Sequence, residues 1–213
     1  MAEPLRQFYK GGIWHILNRG VAKSDIFRNK EDYNFYLYKI KESLGRYPVG
    51  IFAFNFLPNH VHYLIKQTTE RITPNKFIAS VHTSLGNYIN RKYTRVGHLF
   101  QSRCKVKDIQ KDDHLLAISV YVNLNKVLEE LQRKEKTVVS KYELEKLLKD
   151  AESDPYSSYP VYLGLREDGF TDAKFILSLL SDDAEKAREE YKKFAKNLIT
   201  SGYFIKTRDL IFE

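Results

Sequence analysis

Several residue types and patterns are scarce in this chain of 213 residues. The single cysteine, Cys104, excludes an intrachain disulfide and a multi-cysteine zinc site, and fits a reducing cytoplasm. No run of about 18 apolar residues occurs, so we expect no transmembrane helix. No apolar segment follows the N-terminal residues, so we expect no signal peptide. Without internal repeats or low-complexity runs, the length predicts one large domain or a compact domain with an appendage.

Positive charge is concentrated in one part of the chain. The net charge is +8, but residues 1–130 hold 20 basic and 11 acidic side chains, whereas residues 131–213 hold 15 and 16. Residues 91–107 contain no acidic side chain and interleave basic with aromatic ones. Such a segment is typical of nucleic-acid binding, because cations hold phosphates and aromatic rings stack on bases. The alternative is a solvated edge strand protected by Lys and Arg.

The hydrophobic pattern of the first 110 residues alternates between the periods of strands and helices. This order predicts an α+β fold of the ferredoxin-like, split β-α-β type, with an antiparallel sheet and helices on one face. The predicted elements are a strand at 12–19, a helix at 30–46, strands at 49–56 and 60–67, a helix from about 74, and an extended segment at 98–109.

The remainder of the chain is predicted to be helical. A third helix is expected at 112–128, where apolar residues recur at helical spacing. We place a catalytic domain at 1–130 and a helical C-terminal extension at 131–213, starting with a Lys/Glu-rich linker. The extension is expected to pack on the domain or to be linked to it, and it could cover an edge of the sheet.

The motif around which the predicted site is built is His60-Val61-His62. Alternate residues of a strand point to the same face, so both imidazoles would project together. Two parallel imidazoles suit a divalent metal ion. The alternative is a pair of histidines without a role on a half-buried strand.

Tyr121 and Asn125 add chemistry from the third helix. Their spacing of four residues places them on one helix face. The Asn125 amide oxygen could join the two imidazoles as a metal ligand, and the Tyr121 phenolate could attack a phosphodiester. Together these side chains predict a nucleotidyl-transfer site. The alternative for Tyr121 is a tyrosine of the core.

Several segments also resemble one known family. The segment 57–65 (LPNHVHYLI) is similar to the HUH motif of single-tyrosine transposases of the insertion sequence 200/605 family, which includes the REP-associated tyrosine transposases. Further segments resemble that family in the expected order: 15–20, 25–33, 95–103, 120–125 and the YSSY turn at 156–159. The resemblance covers roughly residues 9–165. Lys126 stands where these proteins usually have Pro.

The resemblance implies specific roles. His60 and His62 would bind Mg²⁺ or Mn²⁺, with Asn125 as third ligand in place of the longer Gln, and Tyr121 would be the nucleophile. The implied reaction is cleavage of single-stranded DNA through a 5′-phosphotyrosine, followed by rejoining, at sites marked by a DNA hairpin. Our candidate DNA-binding side chains are basic: Arg19, Lys23, Arg91, Lys92, Arg95, Arg103, Lys105 and Lys107.

Two other functions remain open at this stage. The chain could be a domesticated, non-catalytic DNA- or RNA-binding protein that keeps the fold, or a structural module in which His60 and His62 are inert. The presence of every residue needed for chemistry favours the transposase. The family includes monomers and homodimers, so the sequence leaves the oligomeric state undecided.

Overall fold

The computed structural model describes residues 8–110, 112–133 and 141–207. Its strands are β1 (Ile13–Arg19), β2 (Val49–Leu57), β3 (His60–Gln67) and β4 (Lys105–Asp108), and a short 3₁₀ turn at Val21–Lys23 follows the first of them. The four strands form an antiparallel sheet in the order β2-β3-β1-β4. This topology confirms the predicted α+β, ferredoxin-like fold.

The first two helices begin and end close to the predicted positions. Asn29 caps the first helix in a reciprocal capping box with Asp32, and Pro74 occupies the first turn of the second helix. No helix in the described ranges is long and apolar enough to span a bilayer. The helices are α1 (Lys30–Arg46), α2 (Pro74–Lys92), α3 (Asp112–Asn123), α4 (Asn125–Arg133), α5 (Lys141–Ala151), α6 (Tyr159–Tyr162), α7 (Ala173–Leu177), α8 (Ala184–Thr200) and α9 (Tyr203–Lys206).

The two faces of the sheet are covered by different parts of the chain. Helices α1 and α2 pack on the face that carries Val61, Tyr63 and Ile65 of β3. The other face carries His60, His62 and Leu64, and it is covered by α3 together with side chains of the C-terminal extension. The helices predicted on one face are therefore α1 and α2. The third helix, α3, packs on the opposite face of the sheet.

The C-terminal extension also bonds to the edge of the sheet at β2. Phe56 N–H donates to the Tyr156 carbonyl at 2.9 Å, and Ser158 N–H donates to the Phe54 carbonyl at 2.9 Å. Asp172 N–H donates to the Ile51 carbonyl at 2.8 Å. These bonds satisfy part of an edge that would otherwise be open to another strand.

The boundary between domain and extension stays a prediction. The predicted Lys/Glu linker falls largely on residues 134–140, outside the described ranges. Side chains of the extension, such as Tyr162 and Tyr191, belong to the same buried cluster as Val120 and Leu64. The extension thus contributes to the core that fixes α3 over the sheet.

Candidate active site

The two histidines of β3 project toward α3, as the alternation of the strand predicts. His60 and His62 are 1% and 2% exposed, and their ring centroids lie 5.0 Å apart. Strand β1 adds a third imidazole on the same face, because His15 Nε2 lies 3.1 Å from His62 Nδ1. The floor of the site is therefore a buried group of three histidines from two neighbouring strands.

Helix α3 places Tyr121 directly over this floor. Its ring centroid lies 5.6 Å from that of His62 and 5.5 Å from that of His15, both edge-on. Phe204 of α9 also packs against the phenol ring, with centroids 5.6 Å apart, and Tyr121 is 2% exposed. A phosphodiester can therefore reach the phenol only when the surrounding side chains move.

Helix α4 places two side-chain oxygen atoms close to His60. Asn125 Oδ1 lies 3.2 Å from His60 Nε2, and Glu129 Oε1 lies 3.3 Å from the same nitrogen. Glu129 is four residues after Asn125, so the two share a helix face. In the described part of the chain, no group of three or more His, Cys, Asp and Glu side chains forms a metal site, so a cation here depends on the amide oxygen of Asn125.

A break between α3 and α4 sets the position of Asn125. The Asn123 carbonyl accepts hydrogen bonds from Asn55 Nδ2 at 3.0 Å and from Ser157 Oγ at 2.7 Å. The Asn123 side chain is also held, because its Nδ2 donates to Tyr191 Oη at 2.8 Å and its Oδ1 accepts from Ser158 Oγ. The sheet and the C-terminal extension thus fix the helix junction that lies between the phenol and the amide.

Burial keeps two histidines of the floor, His15 and His62, neutral. Burial and the charge of Lys107 lower the pKa of His15 to about 3. Burial, with the neighbouring His60, His15 and Arg19, holds the pKa of His62 well below its usual range. A neutral imidazole is the form that binds a metal ion, so His62 is held ready for a ligand at physiological pH.

These pKa shifts, and that of a third buried histidine, predict destabilisation by acid. Burial also lowers the pKa of His82 to about 3, and His82 lies on the α2 side of the sheet. The folded-state pKa lies below the unfolded value near 6.5, so stability is full above pH 6.5 and falls as pH drops toward 3. Between pH 7 and pH 5, the free energy of unfolding should fall by about 2 kcal/mol for each of His15 and His82.

Urea unfolding at pH 7 and pH 5 measures this loss. A His82→Phe variant should lose less stability on acidification than the parent protein, because it has one proton-binding site fewer in the unfolded state. The matched variant His98→Phe alters an exposed histidine and should follow the parent. Equal pH dependence of all three proteins would contradict the assignment.

Three of the predicted basic residues lie on the face of the site. In the strand register, Arg19 is opposite His60, Lys107 is opposite His15, and Lys105 is opposite Leu17. Residues paired across antiparallel strands share a face, so these cations border the histidine floor. Lys23 follows in the turn after β1, and its carbonyl accepts from Asn59 Nδ2 at 3.3 Å, next to His60.

The other basic residues are placed elsewhere. Arg91 and Lys92 end α2, and Arg95 follows it, on the opposite side of the sheet from Tyr121. The Lys92 ammonium is engaged with Asp32 at 2.8 Å and with Glu31 at 2.9 Å. The window 91–107 is therefore divided between two faces, and DNA contact by its α2 residues stays a prediction.

Arg103 lines a cleft of about 880 Å³ between α2 and the segment 97–104. The walls are rich in amide side chains, and His82 lies in one of them, stacked on Phe100 with centroids 4.0 Å apart. This cleft opens on the α2 side of the sheet, so it is separate from the Tyr121 site.

Three side chains of the site were not identified from the sequence. His15 could have been found from the alternation of β1, once β1 is paired with β3. Glu129 could have been found from its spacing, because it follows Asn125 by four residues, about one helix turn. Phe204 carries no such signal, because only the tertiary fold brings α9 to α3.

Comparison with known proteins agrees with this architecture. Residues 9–145 match the family model described as transposase IS200 like. A solved structure of a REP-associated tyrosine transposase bound to a REP hairpin aligns with a TM-score of 0.58 at 18% identity, over 81% of this chain and 93% of that one. A putative transposase from Deinococcus radiodurans R1 covers 62% of this chain and 97% of its own, but its TM-score of 0.40 at 9% identity is too low to support an argument. No curated protein gave a match.

The family match spans well over half of the sequence, so the chain belongs to the IS200-like transposase family. The 18% identity of the REP-associated structure shows a shared fold.

Proposed function

We propose that this protein cleaves and rejoins single-stranded DNA, with Tyr121 as the nucleophile and a divalent cation held by His60, His62 and Asn125. The observation that carries the proposal is the position of the Tyr121 ring, 5.6 Å from that of His62 within one chain. A core tyrosine would need no neighbouring imidazole pair, amide oxygen or basic border. Here the tyrosine, the imidazole pair, the amide oxygen and the basic border all lie on one face of the sheet.

The donor atoms fit Mg²⁺ or Mn²⁺. His62 Nδ1 is engaged with His15 and His60 Nδ1 with Asn59 Oδ1 at 2.6 Å, so both rings offer Nε2 to a cation. Amide oxygen is an ordinary ligand of both ions, and imidazole nitrogen is a ligand of divalent first-row transition metal ions, the class to which Mn²⁺ belongs. A bound cation would polarise the scissile phosphate and offset the negative charge that develops in the transition state.

The proposed chemistry is balanced without a nucleotide cofactor. The Tyr121 oxygen forms a bond to phosphorus while the bond between phosphorus and the 3′ oxygen breaks. The phenol loses one proton and the departing 3′ oxygen gains one, so no net proton is consumed. Attack by a 3′-OH on the phosphotyrosine reverses the step and joins strands, because the covalent link preserves the phosphodiester bond energy.

The proposed substrate is a single strand that carries a hairpin. The REP-associated transposase of similar fold is bound to a REP hairpin, which makes hairpin recognition a reasonable hypothesis for this chain. Arg19, Lys105 and Lys107 border the site, and Lys23 lies in the turn after β1, where its carbonyl accepts from Asn59. We propose that these four side chains hold the phosphates near Tyr121. We propose that Arg91, Lys92, Arg95 and Arg103 contact DNA beyond the cleavage site.

Mass spectrometry of the protein with a panel of hairpin-bearing single strands tests the proposal. With Mg²⁺ or Mn²⁺, we expect a species heavier by the 3′ fragment with its 5′-phosphate, together with a free 5′ fragment that ends in a 3′-OH. Both products should disappear when EDTA is added. Tight binding of hairpins without any cleavage, across sequences and metals, would favour the domesticated DNA- or RNA-binding protein.

A further inference from the structure

The cleft between α2 and the segment 97–104 takes no part in the proposed cleavage chemistry. Its volume of about 880 Å³ lies in the range of roughly 300–1,000 Å³ that is usual for ligand sites. None of the described residues that line it is acidic. Amide side chains are its commonest polar group: Asn18, Asn75, Asn87, Asn90 and Gln101. This lining suits a ligand whose edges both donate and accept hydrogen bonds.

Phe100 gives the cleft an aromatic surface. Its ring is stacked on that of His82, with centroids 4.0 Å apart and planes within 20° of each other. His82 is stacked in turn on Tyr36, with centroids 6.2 Å apart. Phe100 is half-buried and lines the cleft. A ring that is supported from behind in this way can hold a flat ligand by stacking.

The α2 wall contains two buried polar atoms without a hydrogen-bond partner in the described part of the chain. Asn18 Oδ1 accepts from Arg19 N–H, so Asn18 Nδ2 donates to His82 Nδ1 at 3.2 Å and the imidazole proton is on Nε2, the first of the two atoms. The second is Asn90 Oδ1, because Asn90 Nδ2 donates to the Gly97 carbonyl at 2.8 Å. Buried polar groups in native proteins are mostly paired, so this donor and this acceptor favour a polar ligand.

The cleft and the histidine floor meet at the β4 edge of the sheet, although they lie on opposite faces. Neighbouring residues of a strand point to opposite faces. Asn18 lines the cleft, whereas the next residue, Arg19, is paired with His60 on the other face. In the same way, Cys104 lines the cleft and Lys105 lies on the histidine face. A flexible single strand can pass this edge and reach both sites, but a duplex is too stiff for so short a path.

We infer that the cleft binds unpaired nucleotides of the DNA strand, with one base stacked on Phe100. Amide side chains match the donors and acceptors of base edges, and the exposed Arg103 adds positive charge for a phosphate. The inference rests on the proposed function, because it makes the cleft a second site for the single strand that Tyr121 is proposed to cut. The cleft then distinguishes unpaired from paired DNA.

Fluorescence anisotropy with a labelled oligodeoxythymidine strand of about twelve nucleotides, and with the same strand paired to its complement, tests the inference. Phe100→Leu removes the aromatic ring and keeps an apolar side chain. We expect the dissociation constant for the single strand to rise about tenfold, and that for the duplex to change less than about twofold. The matched control is Phe175→Leu on α7, where the ring is 37% exposed and stacked on Phe52, and it should bind like the parent.

A second variant leaves the Phe100 ring and its packing intact. Thr83→Glu places a negative charge at an exposed position of α2 that lines the cleft, so it should raise the dissociation constant for the single strand severalfold by repelling phosphates. Asn34→Glu adds the same charge at an exposed position of α1 that does not line the cleft, and it serves as control. Melting temperatures of all the variants report whether the fold is retained.

The outcomes separate the inference from the proposed function. If Phe100→Leu and Thr83→Glu both bind the single strand like the parent, the inference is overturned, while a Tyr121 adduct would leave the proposed cleavage standing. Equal losses on the single strand and the duplex would also overturn it, because the cleft would then hold phosphates of any DNA. Selective loss of single-strand binding in a protein that forms no adduct would support the cleft and contradict only the cleavage. If the parent binds neither DNA, both are contradicted.

Discussion

Replacing Tyr121 by Phe is expected to abolish the covalent protein–DNA species, with a loss of at least about a thousandfold in its rate of formation. The substitution removes only the hydroxyl oxygen that would attack phosphorus. The ring can still pack against Phe204, His15 and His62, so the fold should be retained. Hairpin affinity should remain near that of the parent protein, because the basic border is untouched.

The matched control for this experiment is Tyr142→Phe. Tyr142 is 79% exposed on α5, so loss of its hydroxyl should change neither binding nor adduct formation. The measurement is the fraction of protein in the covalent adduct, read from a denaturing gel with a labelled strand. An adduct of normal yield in Tyr121→Phe would show that another residue is the nucleophile.

Removing the imidazole pair is expected to have a comparable effect on cleavage. A His60→Ala, His62→Ala double variant should lose all Mg²⁺- or Mn²⁺-dependent cleavage, because the cation would lose its two nitrogen ligands. The parent protein in EDTA should show the same loss. The measurement is cleavage of a labelled hairpin strand as the metal concentration is raised.

Both imidazoles are buried, so the double variant also needs a test of folding. Truncation of buried side chains leaves cavities and lowers stability. The single variant His62→Gln fills more of the space and should retain the melting temperature better while still losing cleavage. His98→Ala alters an exposed histidine and serves as control. Unchanged metal-dependent cleavage in the folded double variant would exclude the metal assignment.

Mixing the two inactive proteins asks whether the site is complete in one chain. Tyr121 lies beside its own His62, so a mixture of Tyr121→Phe with the histidine double variant should remain inactive. Recovery of cleavage in the mixture would mean that the tyrosine of one copy acts at the histidines of another. The bonds between β2 and residues 156–158 agree with a site that needs no partner at this edge.

The secondary structure of the first 110 residues was predictable because each element follows a simple period. The helix predicted at 30–46 is found at Lys30–Arg46. Alternation in β3 correctly predicted that His60 and His62 share a face. Local patterns are sufficient for α1 and α2 because each buries one stripe, whereas β2 and β3 are buried on both faces and are indicated by their strand-forming residues.

The features that could not be predicted from the sequence depend on contacts between residues that are distant along the chain. The predicted helix 112–128 is interrupted at Leu124. Next to this residue, the side chains of Asn55 and Ser157 donate hydrogen bonds to the Asn123 carbonyl. The basic window 91–107 is continuous in the sequence, but its residues up to Arg103 lie on the α2 side of the sheet. Lys105 and Lys107 of β4 lie on the face of the histidines. Lys92 is engaged with Asp32, a contact between helices that no spacing rule within α2 reveals.

The most direct test of the central claim is to digest the covalent adduct of the parent protein and identify the modified peptide by mass spectrometry. The account predicts a nucleotide attached through a 5′-phosphate to the peptide that contains Tyr121. An adduct on another tyrosine, or the absence of any adduct while hairpin DNA is cleaved, would contradict it.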